Sequence, residues 1–315
     1  MPPHAVMEIT DTPDESLPFS RLPLQQSPAY GATLGLLGAA VRRLTARAGG
    51  APIGQALIVA RRIGPLRLSV ISRGPQWLGD GTDVSTADFL RIAARGAGIL
   101  AATPETPVAG GGLVPLFPPR RIALVPLWPD PAVMRAGLRP KWRRRLQQAE
   151  AAGLTLRRHG AAADPRWLLA ADRAAQRASG YRALPPAFTL AWQVADPQAL
   201  RIYSVQRGGQ CVAAAAFLLH RPWASYHIAW AAPEGRDTDA PRLLLWRAMA
   251  DLGAEGYTML DLGIEGPPGL AAFKRGTGAD LETLGPTALI LPSRCPRRGG
   301  SPGAWPAIRP RADGI

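Results

Sequence analysis

The chain reads as an α/β (α+β) protein of two tandem units, each a mostly antiparallel sheet with flanking helices. Three observations predict this. A fixed series of events (strand, Gly-Gly turn, strand, proline turn, strand, glycine break, helix, strand) runs from residue 41 to 102 and again from 200 to 262. A repeated series of this kind marks duplication of one supersecondary unit. At 315 residues the chain is also long for a single core, and 47% hydrophobic with 19% charged residues is a globular composition.

In chain order, residues 1–23 are proline-rich and acidic without periodicity and read as a loose lead-in. The first unit is expected over 24–135. Tyr30, Leu34 and Leu37 fall four and three apart, which predicts a helix within Leu24–Gly38. Strands are expected at Val41–Arg47, Ile53–Arg61 and Leu66–Ser72, with Gly49-Gly50 and Gly64-Pro65 as the turns. Arg73-Gly74-Pro75 breaks the meander, a helix follows over Ser85–Ala94, and Gly98–Ala102 is a strand. Arg120–Trp128 is strand-like, and Pro129-Asp130-Pro131 reads as a boundary.

The second unit is expected over 136–291. Leu138, Trp142, Leu146 and Ala149 share one helical face, while Arg139, Lys141, Arg143, Arg144 and Arg145 crowd the others. Such a run reads either as a solvated basic face or as a helix that faces phosphates. Mutual repulsion of the cations favours an anionic partner. The meander recurs as Leu200–Gln206, Cys211–Leu219 and Ala224–Ala231, with Gly208-Gly209 and Arg221-Pro222 as turns. Pro233–Arg236 breaks it, a helix spans Ala240–Glu255 on Leu244, Leu245, Ala248, Met249 and Leu252, and Tyr257–Leu262 closes the series. Residues 292–315 form a Pro/Gly/Arg tail that reads as disordered.

Net charge of +14 predicts attraction to polyanions and says nothing of fold. No apolar run reaches the ~18–20 residues that cross a bilayer, and the N-terminus lacks the basic-then-apolar order of a signal peptide, so a cytoplasmic location is expected. Cys211 and Cys295 are isolated, which argues against a disulfide framework or a metal cluster.

One stretch, Pro267-Pro268-Gly269-Leu270-Ala271-Ala272-Phe273-Lys274-Arg275-Gly276-Thr277-Gly278, organises the functional reading. Proline tolerates the first turn of a helix, so a one-turn helix is expected, with Leu270 and Phe273 on one face and Lys274 beside them. Of 37 Lys plus Arg, only Lys141 and Lys274 are lysine, leaving 35 arginines. Lysine is the cation whose pKa moves readily on burial, whereas arginine is a fixed fork. Lys274 is therefore either a chance surface residue or a retained ammonium.

The phosphate-loop and H-E-x-x-H signatures are missing, and there is no G-x-S-x-G elbow, the one such string, Gly299–Gly303, lying in the Pro/Gly/Arg tail. His227 lies mid-strand and reads as a packed histidine more than as a base. Asp261 and Glu265, at the end of a strand and in the loop after it, are each a candidate base or substrate anchor. Asp261 equally suits a cap on neighbouring N–H groups.

Together these segments resemble the GNAT acyltransferase superfamily, in the tandem-GNAT branch shared with the FemABX peptidoglycan aminoacyl transferases. The resemblance is carried by Gln26–Gly31, Arg73-Gly74-Pro75, Lys141–Leu146 with Ala149-Glu150, Leu260–Gly263 and, most specifically, Phe273-Lys274-x-Gly-x-Gly. It implies transfer of an acetyl or aminoacyl group to an amine by direct attack, in the cleft of the second unit. Such chemistry needs positioning, an oxyanion stabiliser and a route for the amine proton. By resemblance Lys274 is the electrostatic stabiliser, Phe273 its support and Asp261 an anchor or proton acceptor. Gly235, Arg236, Gly276 and Gly278 match the cofactor-binding positions, and Lys141, Arg143, Arg144, Arg145 and Glu265 would meet phosphate or substrate. The implied donor is acetyl-CoA or another acyl-CoA, with aminoacyl-tRNA the alternative of a FemABX-like enzyme of cell-wall peptide synthesis. The implied acceptor is a small-molecule or peptidoglycan-precursor amine, and no metal is implied. The region matching the CoA pyrophosphate turn, Glu234–Ala240, departs from the family pattern with one glycine and three acids. A non-catalytic module gripping RNA or another polyanion is the competing class. Only Trp142 interleaves with the basic helix, where stacking would call for more aromatics.

Overall fold

The structure, a computed structural model, describes all residues except 1–6, 13–14, 80–82, 109, 162, 181–182 and 293–315. It divides into two units, 1–120 with 283–315, and 121–282. The tail expected over 292–315 lies outside the described residues from 293 onward.

Elements in chain order are β1 (Glu8–Asp11), α1 (Pro28–Leu36), β2 (Ala40–Ala48), β3 (Ala51–Ile63), β4 (Leu66–Ser72), β5 (Gln76–Trp77), α2 (Asp83–Ala94), β6 (Ile99–Thr103) and β7 (Leu113–Phe117). There follow β8 (Arg121–Pro126), α3 (Pro131–Gly137), α4 (Pro140–Glu150), β9 (Thr155–Arg158), α5 (Arg166–Ser179), α6 (Pro186–Ala195), β10 (Leu200–Arg207), β11 (Gln210–His220) and β12 (Trp223–Ala231). The chain continues with α7 (Pro233–Asp237), α8 (Ala240–Ala254), β13 (Met259–Ile264), α9 (Pro268–Gly276), β14 (Asp280–Thr283) and β15 (Thr287–Ile290).

In the first unit the sheet runs β1-β2-β3-β4-β6-β15-β7. The β2–β3 turn has Gly49 and Gly50 at φ +55° and +82°, the left-handed pair that a type I′ hairpin needs and glycine supplies. One sheet face packs under α2 in a core that includes Leu44, Ile58, Ile71, Phe89, Leu90 and Leu100. α1 starts on Pro28, with Ser27 capping the Tyr30 N–H. β4 and β6 are parallel and remain paired over five positions, from Leu68–Ile99 to Ser72–Thr103.

The second sheet runs β9-β10-β11-β12-β13-β8-β14, the same order position for position. Its Gly208-Gly209 turn repeats the geometry, at φ +55° and +81°. α8 buries Leu244, Leu245, Ala248, Met249 and Leu252, and α4 buries Trp142, Leu146 and Ala149, as their spacing predicts. The parallel pair β12–β13 differs from its counterpart. It holds only from Trp223–Met259 to Ser225–Asp261, after which β12 continues to Ala231 against β11 alone. The sheet opens there.

Several expectations need correction. The lead-in contains β1, an edge strand whose polar Glu8-Ile9-Thr10-Asp11 carries no alternation to read, and which pairs with β2. The boundaries 24–135 and 136–291 fail at two strands. β8 joins the second sheet beside β13, and β15 joins the first beside β6, so each unit takes a strand from the other's stretch of sequence. Ladder pairing between distant segments leaves no local signal in the sequence.

Candidate active site

Where β12 and β13 part, Asp261 on β13 and Lys274 on α9 are both buried, at 4% and 6% exposure. Asp261 Oδ1 accepts the Gly263 N–H at 2.6 Å, the capping role open to it from sequence. Lys274 Nζ donates to the Ile264 carbonyl at 2.5 Å. Burial pushes the Lys274 ammonium down to about 8, and the charge of Asp261 partly offsets this. A lysine removed from solvent and facing a main-chain carbonyl is not a chance surface residue.

Helix α9 begins on Pro268 behind Pro267, as expected, but spans nine residues where one turn was expected. Its buried face is also different: Ala271 and Lys274 point inward, while Leu270 is 43% exposed. Phe273 points away from Lys274 into a pocket of about 510 Å³, with Trp142 on the adjoining helix. The two rings stand 6.2 Å apart. The pocket is lined by Arg139, Lys141, Arg145, Arg242 and Arg275, five cations around two aromatic rings. Lys274 is not in its lining, so α9 carries the ammonium on one side and the pocket wall on the other.

The pocket's cations are not equivalent. Arg139 and Lys141 find no side-chain partner among the described residues. Arg145 and Arg242 are both held by Asp239, Arg145 Nε at 2.7 Å. Asp239 is 5% exposed, sits at φ +56° and precedes the first turn of α8. A carboxylate there meets the positive end of the helix dipole as well as two guanidiniums. Arg242 also stacks over the Phe273 ring at 5.4 Å. Arg275 lies 3.7 Å from Glu265, which also faces Arg121 at 3.6 Å.

Of the residues proposed from sequence, Lys141, Arg145, Phe273 and Gly276 meet at the pocket, and Lys274 and Asp261 meet at the strand opening. Arg143 and Arg144 lie on α4 outside the pocket lining, and Glu265 pairs with arginines beside it. Gly276 and Gly278 are explained by close packing. A Cβ on Gly276 would enter the Trp142 ring, and Gly278, at φ +83°, would place one 2.8 Å from the Gly137 carbonyl. Gly235 is pressed against the Val212 carbonyl in the same way, and Arg236 is exposed. Sequence reasoning missed Asp239, Arg242 and Arg275. The acids of 234–239 were visible, but the left-handed turn that buries Asp239 was not. His227 bonds Thr189 at 2.7 Å, and burial lowers it to about 4, so it is a neutral packed histidine. Among the described residues no group of His, Cys, Asp and Glu could hold a metal ion.

Residues 136–275, within the second unit, match the family model of the acetyltransferase (GNAT) domain. Over the whole chain the fold is similar to that of FemX, at 15% identity and a TM-score of 0.68, covering 85% of this chain and 92% of FemX. It is also similar to a conserved protein of unknown function from Bacteroides thetaiotaomicron (10% identity, TM-score 0.55, 85% and 90% covered). A third likeness is to the C-terminal domain of a putative lysylphosphatidylglycerol synthetase from Agrobacterium fabrum (17% identity, TM-score 0.50, 74% and 80% covered). No curated protein matches the chain in sequence. The fold of the chain is thus similar to that of FemX, and its second unit carries the match to the GNAT domain.

Proposed function

We propose that the protein is an N-acyltransferase that moves an aminoacyl group from the 3′ end of a tRNA to an amine by direct attack, in the second unit. The observation that carries this reading is Lys274, an ammonium with 6% exposure held at the strand opening beside Asp261. A module that only grips polyanions has no use for a cation withdrawn from solvent. An ammonium has three N–H bonds; one meets the Ile264 carbonyl, which leaves two for an oxyanion. In the reaction the amine nitrogen forms a bond to the ester carbonyl carbon, and charge develops on the carbonyl oxygen, where Lys274 stabilises it. The ester C–O bond then breaks, and the ribose oxygen leaves with the proton that the amine gives up. Asp261 helps keep Lys274 charged against its burial.

The donor follows from a fit. The pyrophosphate of an acyl-CoA would need the N-terminal turn of α8, and there the chain's own Asp239 carboxylate stands, held by Arg145 and Arg242. Gly235 is spent on packing against Val212. The residues present therefore do not fit that group. The pocket lined by Arg139, Lys141 and Arg275 suits instead the phosphates of a polynucleotide backbone. The FemABX resemblance implies the same donor, and its acceptor would be a peptidoglycan-precursor or other small amine.

The test is transfer of labelled amino acid from charged tRNA to a panel of such amines, run beside acetyl-CoA with the same panel. Transfer from tRNA, with no thermal stabilisation by CoA, is expected. A CoA at a hundredfold excess over its dissociation constant would stabilise by roughly 2.7 kcal/mol. That shift, with acetyl transfer, would overturn the tRNA donor.

A further inference from the structure

The β3–β4 hairpin outruns the sheet it belongs to. Pairing of β3 with β2 ends at Ala40–Ala60, and pairing of β4 with β6 begins only at Leu68–Ile99. Residues 61–67 therefore stand out as a two-stranded ribbon, closed by Ile63–Leu66 across Gly64-Pro65. A water-facing ribbon tip is ordinarily polar, with turn residues and charges. Here Ile63 is 62% exposed and Leu66 53%.

The apolar character continues down one face. Directly paired residues share a face, as do residues two apart. Ile63 pairs Leu66, Arg61 pairs Leu68, Val59 pairs Val70, and Leu68 pairs Ile99, so these side chains lie together. α1 covers the neighbouring part of this face, where Gly31 meets Leu57 and Val41. Beyond it Val70 and Ile99 remain 41% and 42% exposed. Arginines frame the patch: Arg61 is on the apolar face, and Arg62 pairs Arg67 across the ribbon on the other.

We propose that this ribbon docks the protein on an anionic lipid bilayer, with Ile63 and Leu66 entering the interface and Arg61, Arg62 and Arg67 meeting lipid phosphates. Apolar side chains at the tip with cations just behind are what an interfacial anchor needs: buried apolar area supplies depth, and each cation adds attraction to anionic headgroups. A second copy of the chain is a poor occupant, since it would bring three arginines against three on a chain of net charge +14. Among the described residues no helix is long and apolar enough to cross a membrane, so the contact would be peripheral. The inference does not depend on the proposed activity.

The test is co-sedimentation of the full chain with phosphatidylglycerol/phosphatidylcholine vesicles and with pure phosphatidylcholine vesicles, across a salt series. Binding to the anionic vesicles that persists at physiological salt is expected, with little binding to phosphatidylcholine. Ile63→Ser/Leu66→Ser leaves every charge in place and, at exposed positions, leaves the melting temperature near wild type. It should cut partitioning roughly tenfold or more. A Leu66→Trp variant should shift its emission to the blue on anionic vesicles. Three results would overturn the proposal: no binding to anionic vesicles, binding that the double serine variant leaves intact, or a concentration-dependent dimer that the same variant abolishes. The second would assign the attraction to cations elsewhere, and the third would make a second copy the occupant.

Discussion

Each unit buries a cation near the C-terminal ends of its parallel strands, Arg73 directly after β4 and Lys274 on the helix after β13, and the two are paired differently. In the first, β4 and β6 stay paired to Ser72–Thr103, and Arg73 immediately beyond is locked by a two-pronged ion pair to Glu105, at 2.9 and 2.7 Å. In the second, pairing stops at Ser225–Asp261, and Lys274 faces a main-chain carbonyl beside the gap. Among the described residues 104–112, after β6, there is no helix, whereas α9 follows β13. One frame stays paired to the ends of its parallel strands, while the other opens beside a cation that can still donate.

The sharpest way to break this comparison is to neutralise each cation. Lys274→Met keeps the length of the side chain and should lower transfer by about 10²–10³-fold with a circular dichroism spectrum like the wild type's. Arg73→Met leaves Glu105, whose side chain is 12% exposed, without its ion-pair partner. It should cost about 3–5 kcal/mol in denaturant unfolding while turnover per folded molecule stays the same. If instead Arg73→Met abolished turnover in folded protein, the first unit would share in the chemistry.

Smaller effects sharpen the picture of the open unit. Gly276→Ala pushes a methyl group into the Trp142 ring and should cost about 1–3 kcal/mol, read as a lower melting temperature. Asp239→Asn keeps a residue that accepts the left-handed turn but frees Arg145 and Arg242. Tripolyphosphate should then bind roughly tenfold more tightly by calorimetry, since each freed cation adds attraction for phosphate. An unchanged affinity would mean that the carboxylate does not guard the pocket. The smallest effect is on pH. Burial lowers Lys274 to about 8 from 10.5, so between these values the unfolded chain holds more protons than the native one, and stability rises with pH across that window. Transfer should fall above pH 8 as the ammonium is lost, and Lys274→Arg should remove that falling limb.

Much of this frame was legible in the sequence because it is local. The Gly-Gly and proline turns of the meanders and the period of three to four in α4 and α8 each follow from neighbours along the chain. Lys274 could be singled out because the composition makes lysine rare. What escaped depends on distant pairings. The buried side of α9 is set by packing against α4 and β13, not by the spacing of Leu270 and Phe273, and α5 and α6 lie in a stretch, 154–199, that the sequence reading leaves unassigned. Asp239 looked like one acid among three until its backbone turned it inward.

The strand exchange has a consequence for how the protein is made. β15 is the strand that joins β6 to β7 in the first sheet, and it comes from Thr287–Ile290. During synthesis the ribosome delivers β1 to β7 first, but the edge of β6 and the whole of β7 must wait until residues 287–290, beyond the whole second unit, have emerged. The unit that is translated first is thus finished last. An expression clone that stops before residue 287 should yield a nascent sheet with an open edge, prone to aggregate, whatever the state of the second unit behind it.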